Sequence, residues 1–270
     1  MIGVILRREK KEYLDKVIDT KFYVNDNIFT NTLIIDATYT EPYYHVNEYL
    51  IEKYPKEIIK EIKNLLDQNK IKECIIAITQ SNPNLEEKLI TLSDKYKNIK
   101  VLKTPNIYPI SLDKNLIRLS KHTDKINDVK VIELKDFYRL EKDKIITVYF
   151  DKIYDIKVTY KSKIKGILKD LNIKGDFNIF ENGPLKGRIV DENAYISDLT
   201  DALYIEDKNN IKEEKCIRCG KCMNNCPLKL NPTILNKELK EKCIKCGICT
   251  YICPSFIPLK QKIEEFNNDQ

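Results

Sequence analysis

At 270 residues, with 42% hydrophobic and 33% charged residues and a formal net charge of +6, the chain is long enough for more than one core and reads as a globular, soluble protein. No run approaches the ~18–20 apolar residues that a membrane span needs. The opening Met1-Ile2-Gly3-Val4-Ile5-Leu6-Arg7-Arg8 places its apolar residues before its charges, the reverse of a secretory signal. The expected location is therefore the cytoplasm, either free or peripheral to the inner face of the cell membrane.

In chain order, Thr32–Ala37 reads as a short buried strand. Val46–Gln68 follows as a helical pattern with a break or kink at Pro55. Ile71–Thr79 is a second strand, and Ser81-Asn82-Pro83 signals the start of an amphipathic helix over Asn84–Lys97. Ile99–Leu102 is a third strand, followed by a break at Thr104–Pro109 and a helix around Leu112–Lys121. Such βαβ alternation predicts a mainly parallel, Rossmann-like sheet over residues 1–143. Cys74 lies in the apolar run Cys74-Ile75-Ile76-Ala77-Ile78 and is expected to be a small core residue.

From Lys144 the character changes. Ile145–Phe150 and Lys152–Tyr160 are rich in β-branched and aromatic residues, with a polar break at Asp151. Ser162–Leu171 reads as one short helix, and Phe177–Phe180 and Tyr195–Ile205 as further strands. Turn signals stand at Glu181-Asn182-Gly183-Pro184 and Lys186-Gly187. Residues 144–207 are expected to form a small α+β domain of β-grasp type, with a linker near Asp207–Asn210.

Residues 208–270 carry the strongest signal. Eight of nine cysteines form two sets, Cys216, Cys219, Cys222, Cys226 and Cys243, Cys246, Cys249, Cys253, each member of the second 27 residues after its counterpart. Both read Cys-x2-Cys-x2-Cys-x3-Cys-Pro, closed by Pro227 and Pro254. This is the ligand run of a two-cluster bacterial ferredoxin, in which the fourth cysteine of each run serves the other cluster. The expectation is two [4Fe–4S] clusters in a ferredoxin-type, helix-containing domain. Cys216, Cys219, Cys222 and Cys253 would hold one, and Cys243, Cys246, Cys249 and Cys226 the other. Gly220 and Gly247 occupy equivalent places in the loops, where a side chain would crowd the backbone or demand a strained φ. Structural zinc favours two separated Cys-x2-Cys pairs, and a disulfide framework needs an oxidising compartment; neither suits the pattern.

The charge is uneven. Residues 212–262 hold 11 Lys/Arg against 4 Glu, leaving the rest of the chain near neutrality. Two oxidised clusters of about −2 each would offset much of that excess, so nucleic-acid binding is not expected. A basic rim suits an acidic redox partner. His45 and His122 have no recognisable acid or nucleophile beside them in the sequence and are read as local hydrogen-bonding residues. No catalytic residue is assigned.

Several segments together resemble the RnfC family, a component of the Rnf electron-transport complex. Thr32-Leu33-Ile34-Ile35-Asp36 running into Thr40-Glu41-Pro42-Tyr43 looks like the family's "IINxxECEPY". Tyr108-Pro109 with Asp113-Lys114-Asn115-Leu116-Ile117 looks like "YPxGxEKQLI". Asn182-Gly183-Pro184-Leu185-Lys186-Gly187 looks like the "GGPMMG" of its soluble-ligand-binding β-grasp (SLBB) domain. The cysteine segments match the family consensus most closely, including their Leu-Asn-Pro and Ile-Pro-Leu tails. The likeness covers nearly the whole chain but only the later part of a full-length member.

The resemblance implies an α/β domain that holds FMN and takes hydride from NADH, with a glycine-rich loop cradling the flavin phosphate. Here the sequence departs. No glycine stands between Gly3 and Gly166. Tyr39 and Thr40 replace the first acidic residue and the cysteine of the motif, and Ile110 or Ser111 replaces the glycine of "YPxG". The segment where the loop should lie, Arg7-Arg8-Glu9-Lys10-Lys11-Glu12, reads as a charged helix. FMN is therefore not expected. Glu41 is the remaining candidate for ligand contact, and its plainer reading is a polar cap at a strand end. The function expected is electron transfer between redox partner proteins, within a membrane-bound complex or as a soluble adaptor for a specific reductase. The alternative is an FMN-containing, NADH-dependent oxidoreductase.

Overall fold

The computed structural model describes residues 30–39, 41–80, 83–122, 128–137, 143–208 and 212–266. The charged helix expected over residues 7–12, Thr40, the Ser81-Asn82 start signal and part of the linker near 207–210 lie outside the described residues. The chain divides into two compact units. One gathers residues up to Thr38, Asn47–Thr104 and Asp113–Lys144; the other gathers Tyr39–Val46, Pro105–Leu112 and Ile145–Gln270.

The first unit is built on a four-stranded, all-parallel sheet of order β3-β2-β1-β4, with β1 at Thr32–Ala37, β2 at Glu73–Thr79, β3 at Ile99–Thr104 and β4 at Val129–Glu133. β1 is buried at every position. This is the signature of a central parallel strand covered on both faces. Helices α1 (Val46–Lys53) and α2 (Pro55–Asn69) separate at Tyr54, because Pro55 has no N–H to continue α1 and its fixed φ suits a helix start. α2 buries Ile58, Ile59, Ile62, Leu65 and Leu66 along one stripe. Helix α3 (Pro83–Ser93) stops four residues short of the sequence expectation. There the chain turns, with Tyr96 N–H donating to the Ser93 carbonyl. α4 (Asp113–Leu119) packs Leu116 and Ile117 onto Ile34, Ile75 and Ala77. Cys74 is fully buried in β2, and burial pushes its thiol pKa well up, as suits a core residue. β4 and the short α5 (Leu134–Phe137) carry no expectation from the sequence.

In the second unit, a five-stranded mixed sheet has the order β6-β5-β9-β7-β8. Its strands are β5 (Asp143–Tyr149), β6 (Ile153–Thr159), β7 (Phe177–Glu181), β8 (Arg188–Val190) and β9 (Ala202–Asp207). β5 and β9 are parallel; β7 runs antiparallel to both β8 and β9. Helix α6 (Ile164–Asp170) lays Ile164, Ile167 and Leu168 on Ile146, Val148, Leu203 and Ile205, the β-grasp arrangement. The strand expected over Tyr195–Ile205 begins only at Ala202. Before it, Ser197 and Thr200 form a side-chain-bonded turn, with Leu199 N–H donating to Ser197 Oγ and Ser197 N–H to Thr200 Oγ1. The cysteine region follows with four short helices, α7 (Lys221–Asn224), α8 (Lys237–Lys242), α9 (Ile248–Tyr251) and α10 (Leu259–Glu265). No described helix is long and apolar enough to cross a membrane.

Candidate metal centre

The two cysteine loops repeat in conformation as well as in sequence. Arg218, Gly220 and Lys229 have positive φ, and so do Lys245, Gly247 and Phe256, each 27 residues on. α7 and α9 bear the same relation. In each loop, the N–H two residues after the first cysteine points back at its sulfur: Arg218 N to Cys216 Sγ and Lys245 N to Cys243 Sγ, both at 3.4 Å. The Ile248 N–H serves Cys246 in the same way. Such N–H donors stabilise thiolate charge. The non-glycine positive-φ positions carried no sequence signal of their own, except through the 27-residue repeat.

The loops interlock. A cavity of about 240 Å³ is lined by Cys216, Cys219 and Cys222 from the first loop and Cys253 from the second. A tighter cavity of about 20 Å³ is lined by Cys243, Cys246 and Cys249 with Cys226 from the first loop. A single ion draws its sulfurs to ~2.3 Å from one point; among the described residues no group of three or more metal-ligating side chains is gathered in that way. The sets differ in exposure: Cys216 and Cys219 are exposed, while Cys246 and Cys249 are buried. Burial holds the Cys249 thiol up at about 11 against its backbone N–H donor from Thr250.

Around the second loop, the second unit is closely built. Glu41 is 4% exposed and accepts from three donors: Leu185 N–H at 2.9 Å, Lys186 N–H at 3.2 Å and Tyr108 Oη–H at 2.9 Å. It is thus a buried hub rather than a strand cap. Burial pushes its pKa up against those donors. Tyr108 Oη also lies 2.7 Å from the Cys246 carbonyl. Gly183 (φ +101°) leaves the room Glu41 fills, since a Cβ there would come within 2.7 Å of its carboxylate. Gly247 lets the second cysteine loop rest on Leu185, whose carbonyl would be 2.0 Å from an added Cβ.

The histidines each meet a carboxylate that the sequence did not reveal. His45 Nδ1 lies 2.7 Å from Asp155 Oδ2, and His122 Nε2 lies 2.8 Å from Glu73 Oε1. Asp155 also accepts from Thr147 Oγ1 and Glu73 from Lys100 Nζ, so both pairs belong to local networks.

In the first unit, the carboxyl ends of β1 and β4 are acidic. Asp36 stands opposite Glu133 in the register. Asp36 is 1% exposed, and Thr38 donates to its Oδ1 through N–H at 2.9 Å and Oγ1–H at 2.6 Å. Burial above all, with Glu133 and Asp113 nearby, pushes Asp36 up to about 6.

A parallel α/β sheet, a β-grasp domain and two repeated cysteine loops point to the iron–sulfur class of proteins. Comparison with known proteins bears this out. Residues 18–137 match a family described as the Nuo51 FMN-binding domain, and residues 208–254 match a 4Fe-4S dicluster domain. Among curated proteins, the RnfC-type component of the ion-translocating oxidoreductase complex of Buchnera aphidicola (subsp. Baizongia pistaciae) is 28% identical, the match covering 75% of this chain and 45% of the relative. Its namesake from Haemophilus influenzae (strain 86-028NP) is also 28% identical, over 74% of this chain and 34% of the relative. The chain is RnfC-like, and it spans less than half the length of these relatives. Among solved structures, an NAD+-reducing [NiFe]-hydrogenase in its air-oxidized state superposes with a TM-score of 0.55 at 11% identity, over 68% of this chain and 41% of that one. That likeness is one of fold.

Proposed function

We propose that this chain relays electrons between protein partners through two [4Fe–4S] clusters, one held by Cys216, Cys219, Cys222 and Cys253, the other by Cys243, Cys246, Cys249 and Cys226. A [4Fe–4S] cluster supplies one-electron exchange at a potential set by its surroundings. The observation that carries the reading is the partition of the eight cysteines between two cavities, each taking its fourth cysteine from the other loop. The first set, with Cys216 and Cys219 exposed and Lys215, Arg218 and Lys221 beside them in the sequence, suits exchange with an acidic partner. The second set, with Cys246 and Cys249 buried, suits an inner relay station. The relatives' name supports a place in an ion-translocating oxidoreductase complex; a soluble adaptor role for one reductase differs in its partner, and copurification with or without membrane proteins separates the two.

The match to an FMN-binding domain favours a second reading, an NADH-dependent flavoenzyme. The residues do not fit the flavin phosphate. No glycine lies between Gly3 and Gly166 to let a backbone loop close on it. In open α/β sheets ligands bind at the carboxyl ends of the strands, and here the ends of β1 and β4 carry Asp36 and Glu133, acceptor groups where a phosphate needs donors. The α/β unit is accordingly a scaffold. Cofactor analysis of anaerobically purified protein tests the assignment: about eight irons and eight sulfides per chain, with negligible zinc. The Cys226→Ala variant should lose or perturb the cluster of Cys243, Cys246 and Cys249, leaving the other's spectrum in place. About four irons or stoichiometric zinc in the wild type would overturn the dicluster reading, and damage to the first cluster alone in the variant would overturn the crossed ligation.

A further inference from the structure

Glu41, Tyr108 and the loop Asn182–Gly187 stand far apart in the sequence and meet one another in the fold. The Glu41 carboxylate ties down the loop through the N–H groups of Leu185 and Lys186. The far side of the same loop carries the second cysteine loop, with Gly247 seated on Leu185. Lys260 Nζ donates to the Lys186 carbonyl at 2.6 Å and ties α10 to it as well. Tyr108 closes the arrangement. Its hydroxyl touches Glu41 on one side and the carbonyl of Cys246 on the other. The Lys186 ammonium stands 5.8 Å from the Tyr108 ring centroid.

We propose that Glu41 and Tyr108 are positioning residues for the second cluster, setting its reduction potential through the Cys246 peptide. The proposal rests on the reading that Cys243, Cys246, Cys249 and Cys226 hold that cluster. In a planar trans peptide the C=O and the following N–H point in opposite directions. A hydroxyl that pins the Cys246 carbonyl therefore also fixes the orientation of the Gly247 N–H and of the turn that aims the Ile248 N–H at the Cys246 sulfur. Hydrogen bonds to cluster sulfurs and nearby charge are levers on potential. Tyr108 has one hydroxyl proton and two acceptors, Glu41 Oε1 and the Cys246 carbonyl, so the two residues act on Cys246 in opposite senses. Glu41 draws the proton away from Cys246 and adds negative charge, which disfavours a more negative cluster. At the equivalent place in the first loop, a Cβ at Gly220 would meet Asn224 Nδ2 at 3.7 Å, whereas Gly247 is seated on the Leu185 carbonyl.

The test is an anaerobic redox titration followed by electron paramagnetic resonance on the holoprotein, on Tyr108→Phe and on Glu41→Gln. The signal lost in Cys243→Ala identifies the second cluster. Tyr108→Phe should make that cluster harder to reduce by about tenfold in its one-electron equilibrium, ~59 mV, at full iron content, with the first cluster unmoved. Glu41→Gln should shift the same cluster the other way, because an amide is neutral: with its oxygen kept on the Leu185 N–H, its NH2 takes the Oε1 place, donates to Tyr108 Oη at the cost of the Lys186 N–H bond, and frees the tyrosine proton for Cys246. Should Tyr108→Phe lose the second cluster outright, Glu41→Gln alone decides. Unchanged potentials at full iron content, shifts of one sign in both variants, or equal movement of both clusters would overturn the proposal. Four irons in the wild type would instead overturn the dicluster reading beneath it.

Discussion

Asp36 is a carboxyl group in a place built for a neutral one, and replacing it by asparagine should stabilise the first unit. The side chain is 1% exposed at the end of β1, and its pKa stands at about 6 in the fold against an ordinary 3.8. The neutral form thus fits the fold better. Between those two values the folded chain holds a proton that the unfolded chain has released, so stability falls as pH rises through the window and is flat above it. Two pKa units correspond to ~3 kcal/mol near neutrality, and roughly half of that near pH 5. Asn keeps an Oδ1 to accept from Thr38 N–H and Oγ1–H. The neutral amide also removes the repulsion that Glu133 and Asp113 exert on an ionised Asp36. Amide hydrogen exchange at Ile34 and Ile35 in the holoprotein reads the opening of this strand. Their protection should rise about a hundredfold in Asp36→Asn near pH 7.5, and by clearly less near pH 5. A variant with equal or lower protection, or a gain independent of pH, would show that a partner holds Asp36 ionised and that the burial argument is wrong.

Gly220→Ala and Gly247→Ala form a matched pair, equivalent in the repeat and with φ of 71° and 78°. Both should lose the ~1–2 kcal/mol of a left-handed alanine, but only Gly247→Ala also drives a Cβ into the Leu185 carbonyl. Iron analysis with urea titration should show near-normal iron in Gly220→Ala, and loss of about half the iron in Gly247→Ala. The scaffold reading of the α/β unit predicts no released flavin on acid extraction, and no bleaching of cluster absorbance by NADH alone; a chemical reductant should bleach it. Steady bleaching by NADH would transfer the assignment to the flavoenzyme.

Strand burial was legible in the sequence, because it is written in short apolar runs. The apolar runs of β1 and β2, set in a βαβ alternation, read as strands of a mainly parallel sheet, and the cysteine repeat points by its spacing to a cluster and to an exchange of fourth ligands. Less legible were elements whose identity depends on distant neighbours. β4, Val-Lys-Val-Ile-Glu, is five residues of mixed polarity at a sheet edge and is only partly buried; what makes it a strand is the side of β1 that β2 leaves open. Asp94–Lys97 has a composition a helix accepts, yet α3 ends at Ser93, where the chain turns toward β3. The histidine pairs join residues 110 and 49 positions apart, beyond any local pattern.

Glu41 shows the deeper limit of reading a motif. Its neighbours in the sequence lack the family's acidic and sulfur groups, and beside them a leftover carboxylate has little to do. The fold surrounds it with two backbone N–H groups and a tyrosine hydroxyl. Removing such an acceptor strands buried donors, at ~1–3 kcal/mol each. Those bonds give the Glu-Pro and Tyr-Pro segments a structural role that needs no flavin phosphate. A glycine loop is needed by a phosphate, whereas this carboxylate is needed by the loop that carries Leu185 and, across it, by the seat of Gly247.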